Sequence, residues 1–163
     1  MPADFFEMMP SVKYDLVFRQ SRKAPYFGDY IDLLDFLYSN RIANLSEYNQ
    51  RAISHLTTLL GIETPLDDSC RYGLKGRKTE RLIRLLRQVG AEEYLSGPAG
   101  REYLDEAEFR KAGISLRYFE YPNYPAYPQH YGVRCHEVSI LDLLFQVGPR
   151  AAEYIWGAGE GPS

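Results

Sequence analysis

Apolar positions recur along this chain with two periods, and the two periods divide it into helices and strands. Tyr30, Leu33, Leu34 and Leu37 share one face of a segment from Asp29 to Tyr38, with Asp29, Asp32 and Asp35 on the other. That is the pattern of an amphipathic helix. Asn44 to Leu60 repeats it, with Leu45, Tyr48, Ala52, Leu56, Leu59 and Leu60 as the expected buried stripe. Asn44 is a capping residue, and Glu47 stands where it could reach back to the cap. Leu82, Ile83, Leu86 and Val89 mark a third helix that stops at Gly90, with Arg81, Arg84 and Arg87 along its outer side. Asp105 to Lys111 is a short helix or turn anchored by Phe109. Ser139 to Val147, SILDLLFQV, is the last clear helix, capped by Ser139, with Asp142 as cap partner and Gly148-Pro149 as its stop. Val12 to Gln20 is weakly helical.

The strand signals are fewer. Ile114 to Tyr121 alternates, with Ile114, Leu116 and Tyr118 on one face. Ala91 to Leu95 is a brief strand. Between the third helix and the alternating strand lies AEEYLSGPAGREYL, which reads as strand, small-residue loop and helix start, with Pro98 at the first helical position. In an open α/β sheet such a junction is where ligands bind, because unpaired N–H groups and the helix dipole favour an anion. A compact turn that needs small residues for packing alone fits the same letters. The loop is neither a GxGxxG nor a Walker fingerprint, and no cofactor is expected from it.

Two other stretches carry candidate chemistry. Arg71, Lys75, Arg77 and Lys78 fall within eight residues on a glycine-bearing loop that runs into a helix. Cations there oppose the helix dipole, which is understandable if they hold phosphate. An exposed basic loop is the alternative. Pro122 to Gly132, PNYPAYPQHYG, has prolines three apart and reads as an extended aromatic loop. Tyr124, Tyr127, Gln129, His130 and Tyr131 offer stacking faces and hydrogen bonds suited to a sugar or a nucleobase. Tyrosines that staple the loop to the core would leave the same sequence.

Composition narrows the rest. The chain has 163 residues, 45% apolar and 25% charged, and it is most simply a single domain, 1–163. A net charge of −3 gives no electrostatic case for nucleic acid. No run approaches roughly 18 apolar residues, so no membrane span is expected. The N-terminus has no basic segment ahead of an apolar run, and Cys70 and Cys135 have no metal-ligand spacing. A reducing cytoplasm fits. The three aspartates of the first helix lack a His or a further acid, so no metal is expected. His55 beside the second helix's stripe is read as structural. Cys135 next to His136 suggests a thiolate, but neighbours in sequence rarely point together, and no nucleophile is assigned. Phe5, Phe6, Met8 and Met9 make an unusually apolar start, and Gly157 to Ser163 a loose tail.

Several segments in order resemble the WbqC-like family of bacterial surface-polysaccharide clusters. They are RKAPYF at Arg22–Phe27, NLSEYN at Asn44–Asn49, LGIETP at Leu60–Pro65, GRKTERLI at Gly76–Ile83, GAEEYLSGPAGREYLD at Gly90–Asp105, GISLRYFEYPNYPAYPQ at Gly113–Gln129 and SILDLLFQVG at Ser139–Gly148. The family's opening segment, resembling QPxYLPxxGYF, is not here, so the chain resembles the C-terminal two-thirds of a family domain. The resemblance implies a helix-rich α/β fold, a Rossmann-like three-layer arrangement with a small, mostly parallel sheet and its N-terminal part missing. It also implies a role in O-antigen or other surface-polysaccharide biosynthesis, as a transferase acting on a nucleotide-linked sugar. The alternative is a non-catalytic binding or scaffold module, or an inactive truncated member. On the first reading Lys75, Arg77 and Lys78 would hold the phosphate of a nucleotide-linked sugar or other phosphate-bearing molecule. Ser96, Gly97, Gly100 and Tyr103 would form the anion-binding turn, and Tyr127 and Gln129 would contact sugar or base. Other polysaccharide-biosynthesis enzymes are the expected protein partners.

Overall fold

The computed structural model describes residues 14–39, 42, 44–130 and 137–157. The apolar start at Phe5, Phe6, Met8 and Met9, Tyr131, the Cys135–His136 pair and the tail beyond Gly157 lie outside the described residues. In chain order the elements are α1 (residues 14–21), α2 (Ile31–Ser39), α3 (Leu45–Leu59), α4 (Lys78–Gln88), β1 (Glu93–Ser96), α5 (Glu106–Ala112), β2 (Ser115–Tyr118), α6 (Ile140–Val147) and α7 (Ala151–Trp156). The fold is α/β and helix-rich, with a small parallel sheet. It divides into two compact units, one made of Met1–Thr64 with Tyr124–Ser163, the other of Pro65–Asn123.

The first unit is built on α6. Every residue from Leu141 to Val147 is buried. A helix that is apolar nearly all round is stable only inside other elements. Leu144, Phe145 and Val147 share one core with Leu33 and Leu34 of α2 and with Phe27 from the 3-10 turn Phe27–Tyr30 that leads into α2. The rings of Phe27 and Phe145 meet edge to face at 5.1 Å, and Phe18 of α1 meets Phe27 at 5.2 Å. Each such side chain stabilises the unit by about 1.5–3 kcal/mol through burial. The Tyr26 N–H donates to the Phe145 carbonyl at 2.9 Å, which joins the Ala24-Pro25 bend to the end of α6. Asp29, Asp32 and Asp35 are exposed, as the helical pattern requires.

The helix α3 uses only part of its expected stripe. The Asn44 side chain accepts from the Glu47 N–H at 3.1 Å, so the cap forms. The Glu47 carboxylate, however, pairs with Arg51 one turn on at 2.6 Å. Tyr48, Leu56 and Leu60 face inward, and the Tyr48 hydroxyl donates to the Leu37 carbonyl at 2.7 Å. Leu45 and Leu59 are exposed, at 71% and 41%. Periodicity predicts a face but not how far a neighbour covers it, and here Leu45 and Leu59 go uncovered. His55 lies against Phe36, with ring centroids 5.0 Å apart and the planes tilted by 40°.

The second unit is a β–α–β crossover with α4 added. Strands β1 and β2 pair in parallel, with Glu93 opposite Ser115 and Ser96 opposite Tyr118. Parallel neighbours need such a crossover, and α5 supplies it. Ile83 and Leu86 of α4, Phe109 of α5 and Ile114 form the core, with Tyr94 and Leu116 from the strands. The opposite positions Glu93, Leu95, Ser115 and Arg117 are exposed, the strand period of two. The strand β2 is shorter than the alternation from Ile114 to Tyr121 suggests. Its ladder ends where β1 ends, with the Phe119 N–H donating to the Ser96 carbonyl at 2.8 Å.

Candidate functional site

The carboxyl end of β1 carries the expected turn. Ser96 is buried at 4% exposure, and its hydroxyl donates to the Gly97 carbonyl at 3.2 Å. Gly97 leads into the 3-10 turn Pro98–Glu102, with Pro98 in the predicted first position. Gly100 packs on Ser96 so closely that a Cβ there would lie 2.2 Å from the Ser96 hydroxyl oxygen and 3.1 Å from Leu104. The small residues thus serve a close approach between strand end and turn. Gly100→Ala should destabilise the second unit by about 1–3 kcal/mol. Chemical denaturation would show it, and a Ser96→Gly change in the same chain should restore part of the loss. A Gly100→Ala chain as stable as the parent would refute the packing. Arg101 lies over the Tyr118 ring, 4.1 Å from its centroid. Burial and the neighbouring Glu106 carboxylate push the Tyr118 hydroxyl above its ordinary value, against the opposing charge of Arg101.

Lys75 and Arg77 are exposed on the loop before α4, and Lys78 is exposed as its first residue. Lys78 has a left-handed backbone, φ 48°, unusual for a residue with a side chain. It shares an open hollow with Tyr103, Glu102, Asp105, Glu106 and Arg110, a mixed-charge setting. The N–H groups at the start of α5 are already capped, since the Asp105 carboxylate accepts from Ala107 and Glu108 at 2.9 and 3.2 Å. Arg71 pairs with Asp67 at 3.0 Å. The Tyr72 hydroxyl also donates to Asp67, and these contacts with the Asp68 N–H hold the Asp67 carboxyl below its usual range. Cys70 is exposed, and Asp68 beside it pushes its thiol upward, away from a reactive thiolate. The structure therefore brings together Ser96, Gly97 and Gly100, and Lys78 with Tyr103.

Tyr127 and Gln129 lie in the first unit, where their polar groups converge on α6. The Tyr127 hydroxyl donates to Asp142 Oδ2 at 2.7 Å, and the Gln129 amide donates to the same oxygen at 2.9 Å. One turn along α6, the Gln146 amide lies 2.7 Å from His130 Nδ1, and His130 Nε2 lies 3.0 Å from the Gln20 carbonyl. A carbonyl only accepts, so Nε2 carries the proton and Nδ1 accepts from Gln146. Asp142 and Gln146 are buried, at 8% and 6% exposure. Four residues apart, they share one helix face and fasten the proline-rich segment at three consecutive polar points. Among the described residues no buried side-chain nitrogen or oxygen lacks a partner.

Beside this fastening is a half-open hollow of about 230 Å³. Tyr124, Pro125, Tyr127, Ile140, Leu143 and Tyr154 wall it, with Val138 and Ser139. The Tyr127 and Tyr154 rings meet at 5.8 Å and 72°.

Asp142, Gln146 and Tyr154 were not among the residues expected at a site. The signal for the first two was present: an acid and an amide four apart in a helix with no other polar residue. Three residues after Ser139, Asp142 also fits the pattern of a cap partner. The Ser139 hydroxyl does cap α6, accepting from the Leu141 N–H at 3.3 Å. Nothing in the sequence ties Tyr154 to the loop. No group of acids, histidines and cysteines among the described residues could hold a metal ion, and no described helix is long and apolar enough to cross a membrane.

A family model described as the WbqC-like protein family matches residues 14–154. An uncharacterized protein of Mycobacterium tuberculosis is 41% identical over 133 residues, which are 81% of this chain and 58% of the relative. The chain thus spans less than two thirds of that relative's length. No solved structure matches it.

Proposed function

Since the chain belongs to the WbqC-like protein family, we propose that it serves surface-polysaccharide assembly, including that of O-antigen, by binding a nucleotide-linked sugar as a transferase does. The observation that carries the reading is the fastening of the Tyr-Pro segment to Asp142 and Gln146. A buried carboxylate is costly, and fixing an extended loop in one conformation is a use for it that binding rewards. Proline and buried tyrosine reduce what the loop loses on taking a ligand. In the second unit Lys75, Arg77 and Lys78, with the turn at Ser96, Gly97, Gly100 and Tyr103, are the candidates for phosphate contact. The basic loop supports that role through its charge and the left-handed Lys78, a kind of strain that clusters at functional sites.

A thermal melt with a panel of nucleotide sugars tests this. A ligand at about a hundred times its dissociation constant adds roughly 2.7 kcal/mol, a rise of several degrees. The expected result is a rise with one nucleotide sugar that Lys78→Ala reduces. A cooperative melt that no nucleotide sugar moves would favour the second reading, a non-catalytic module that docks another polysaccharide enzyme. The mixed charge around Lys78 and Tyr103 is what favours that alternative.

A further inference from the structure

We infer that the hollow beside α6 takes a single uncharged ring, the sugar or the base of a nucleotide-linked molecule, against the rings of Tyr124 and Tyr154. The inference rests on the reading above and assigns one part of the ligand to one place.

Size is the first argument. A volume of about 230 Å³ is below the roughly 300–1,000 Å³ of pockets that enclose drug-sized ligands. It accommodates one ring and its substituents, with the remainder of a larger ligand left outside the half-open mouth. The walls are the second. Pro125, Ile140 and Leu143 supply apolar surface, and Tyr124, Tyr127 and Tyr154 supply aromatic rings. A ring with an apolar face and a polar rim matches such walls, since its apolar face stacks on the aromatic rings while its rim stays toward the open mouth. A phosphate pressed against those apolar walls would lose its hydration, which is costly.

Exposure is the third. Tyr124 and Val138 are both large apolar side chains left open to solvent, at 37% and 41%, and both belong to this one hollow. Rigidity is the fourth. The Tyr127 wall is held by its hydrogen bond to Asp142 and by its edge contact with Tyr154, and Pro125 stiffens the rim. A preformed wall loses little freedom when a ring is set against it.

The test is a set of titrations of the full chain with a nucleotide sugar that raises its melting point, the parent monosaccharide, the parent nucleoside and inorganic pyrophosphate. Saturation-transfer NMR would report which ligand protons touch protein. Tyr124→Ser is the first variant, because Tyr124 is open to solvent; Tyr154→Leu is the second and keeps an apolar filler. Each should weaken the nucleotide sugar roughly tenfold, the scale of one lost aromatic stacking contact. The monosaccharide or the nucleoside should lose its transfer signal in both variants, and the arm that does so identifies the ring. Pyrophosphate should bind as before. If the nucleotide sugar binds all three chains within twofold, the assignment of this hollow fails while the proposed function stands. Weaker pyrophosphate binding in Tyr124→Ser would also overturn it. If no nucleotide sugar binds the parent chain, both readings fall.

Discussion

Gly148→Ala should destabilise the first unit by about 3–5 kcal/mol, a large share of the 5–15 kcal/mol that typically separates folded from unfolded protein. Two independent causes add. Gly148 has φ 59° and ψ −131°, a conformation that a residue with a Cβ adopts only under strain. A Cβ there would also lie 2.5–2.8 Å from three carbons of the Tyr26 ring. Tyr26 has little freedom to retreat, because its N–H is bonded to the Phe145 carbonyl three residues upstream of the glycine. Helix end and bend are thus fitted to each other through the one residue that has no side chain. Urea denaturation measures the loss. Gly28→Ala is the control, since a Cβ at Gly28 meets nothing within 4 Å and its φ is ordinary. That change should stay within about 0.5 kcal/mol of the parent. A Gly148→Ala chain with the parent's midpoint would show that Tyr26 does not pack where it is placed.

Asp142→Ala should cost about 2–5 kcal/mol, through two buried donors left without their acceptor rather than through strain. The change withdraws the acceptor shared by the Tyr127 hydroxyl and the Gln129 amide and leaves a space in a helix buried from Leu141 to Val147. Charge-assisted hydrogen bonds are about twice as strong as neutral ones, so Asp142→Asn should lose less than the alanine but more than nothing. A double-mutant cycle with Tyr127→Phe isolates the pair. In contact at 2.7 Å, the two should couple by roughly 0.5–3 kcal/mol. Strict additivity, within about 0.5 kcal/mol, would refute the direct bond. Tyr127→Phe alone should also loosen the loop, and faster amide exchange through residues 124–130 would report it.

The sequence displayed the elements of this protein well where local signals agree. Asn44 and Ser139 cap the helices they precede, Leu34 is buried where periodicity places it, and Phe109 anchors its short helix. It displayed the family too, because segments such as YLSG and SILDLLF keep their order along the chain. What it concealed is long-range. That α3 would leave Leu45 and Leu59 open depends on what packs beside it, which no window of sequence contains. Tyr127 and Gln129, which bond to Asp142, lie 15 and 13 residues before it in the sequence. At Ser96 and Gly100 the letters suited both a phosphate turn and a steric fit. The close approach of the two residues supplies the steric reason without needing the other.

The first unit is interrupted along the chain, with Leu33 and Leu34 encoded before the second unit and Leu144 and Phe145 after it. On a ribosome adding about 5–20 residues per second, those two halves emerge several seconds to some twenty seconds apart. The intervening crossover, whose contacts are nearer in sequence, is synthesised in full during that wait. Its core has all its members before α6 exists. The apolar face of α2 meanwhile has no partner, and chaperones recognise surfaces of that kind. Biogenesis therefore imposes an order on this protein that the finished fold conceals: the middle assembles first, and the unit that opens the chain is the last to close.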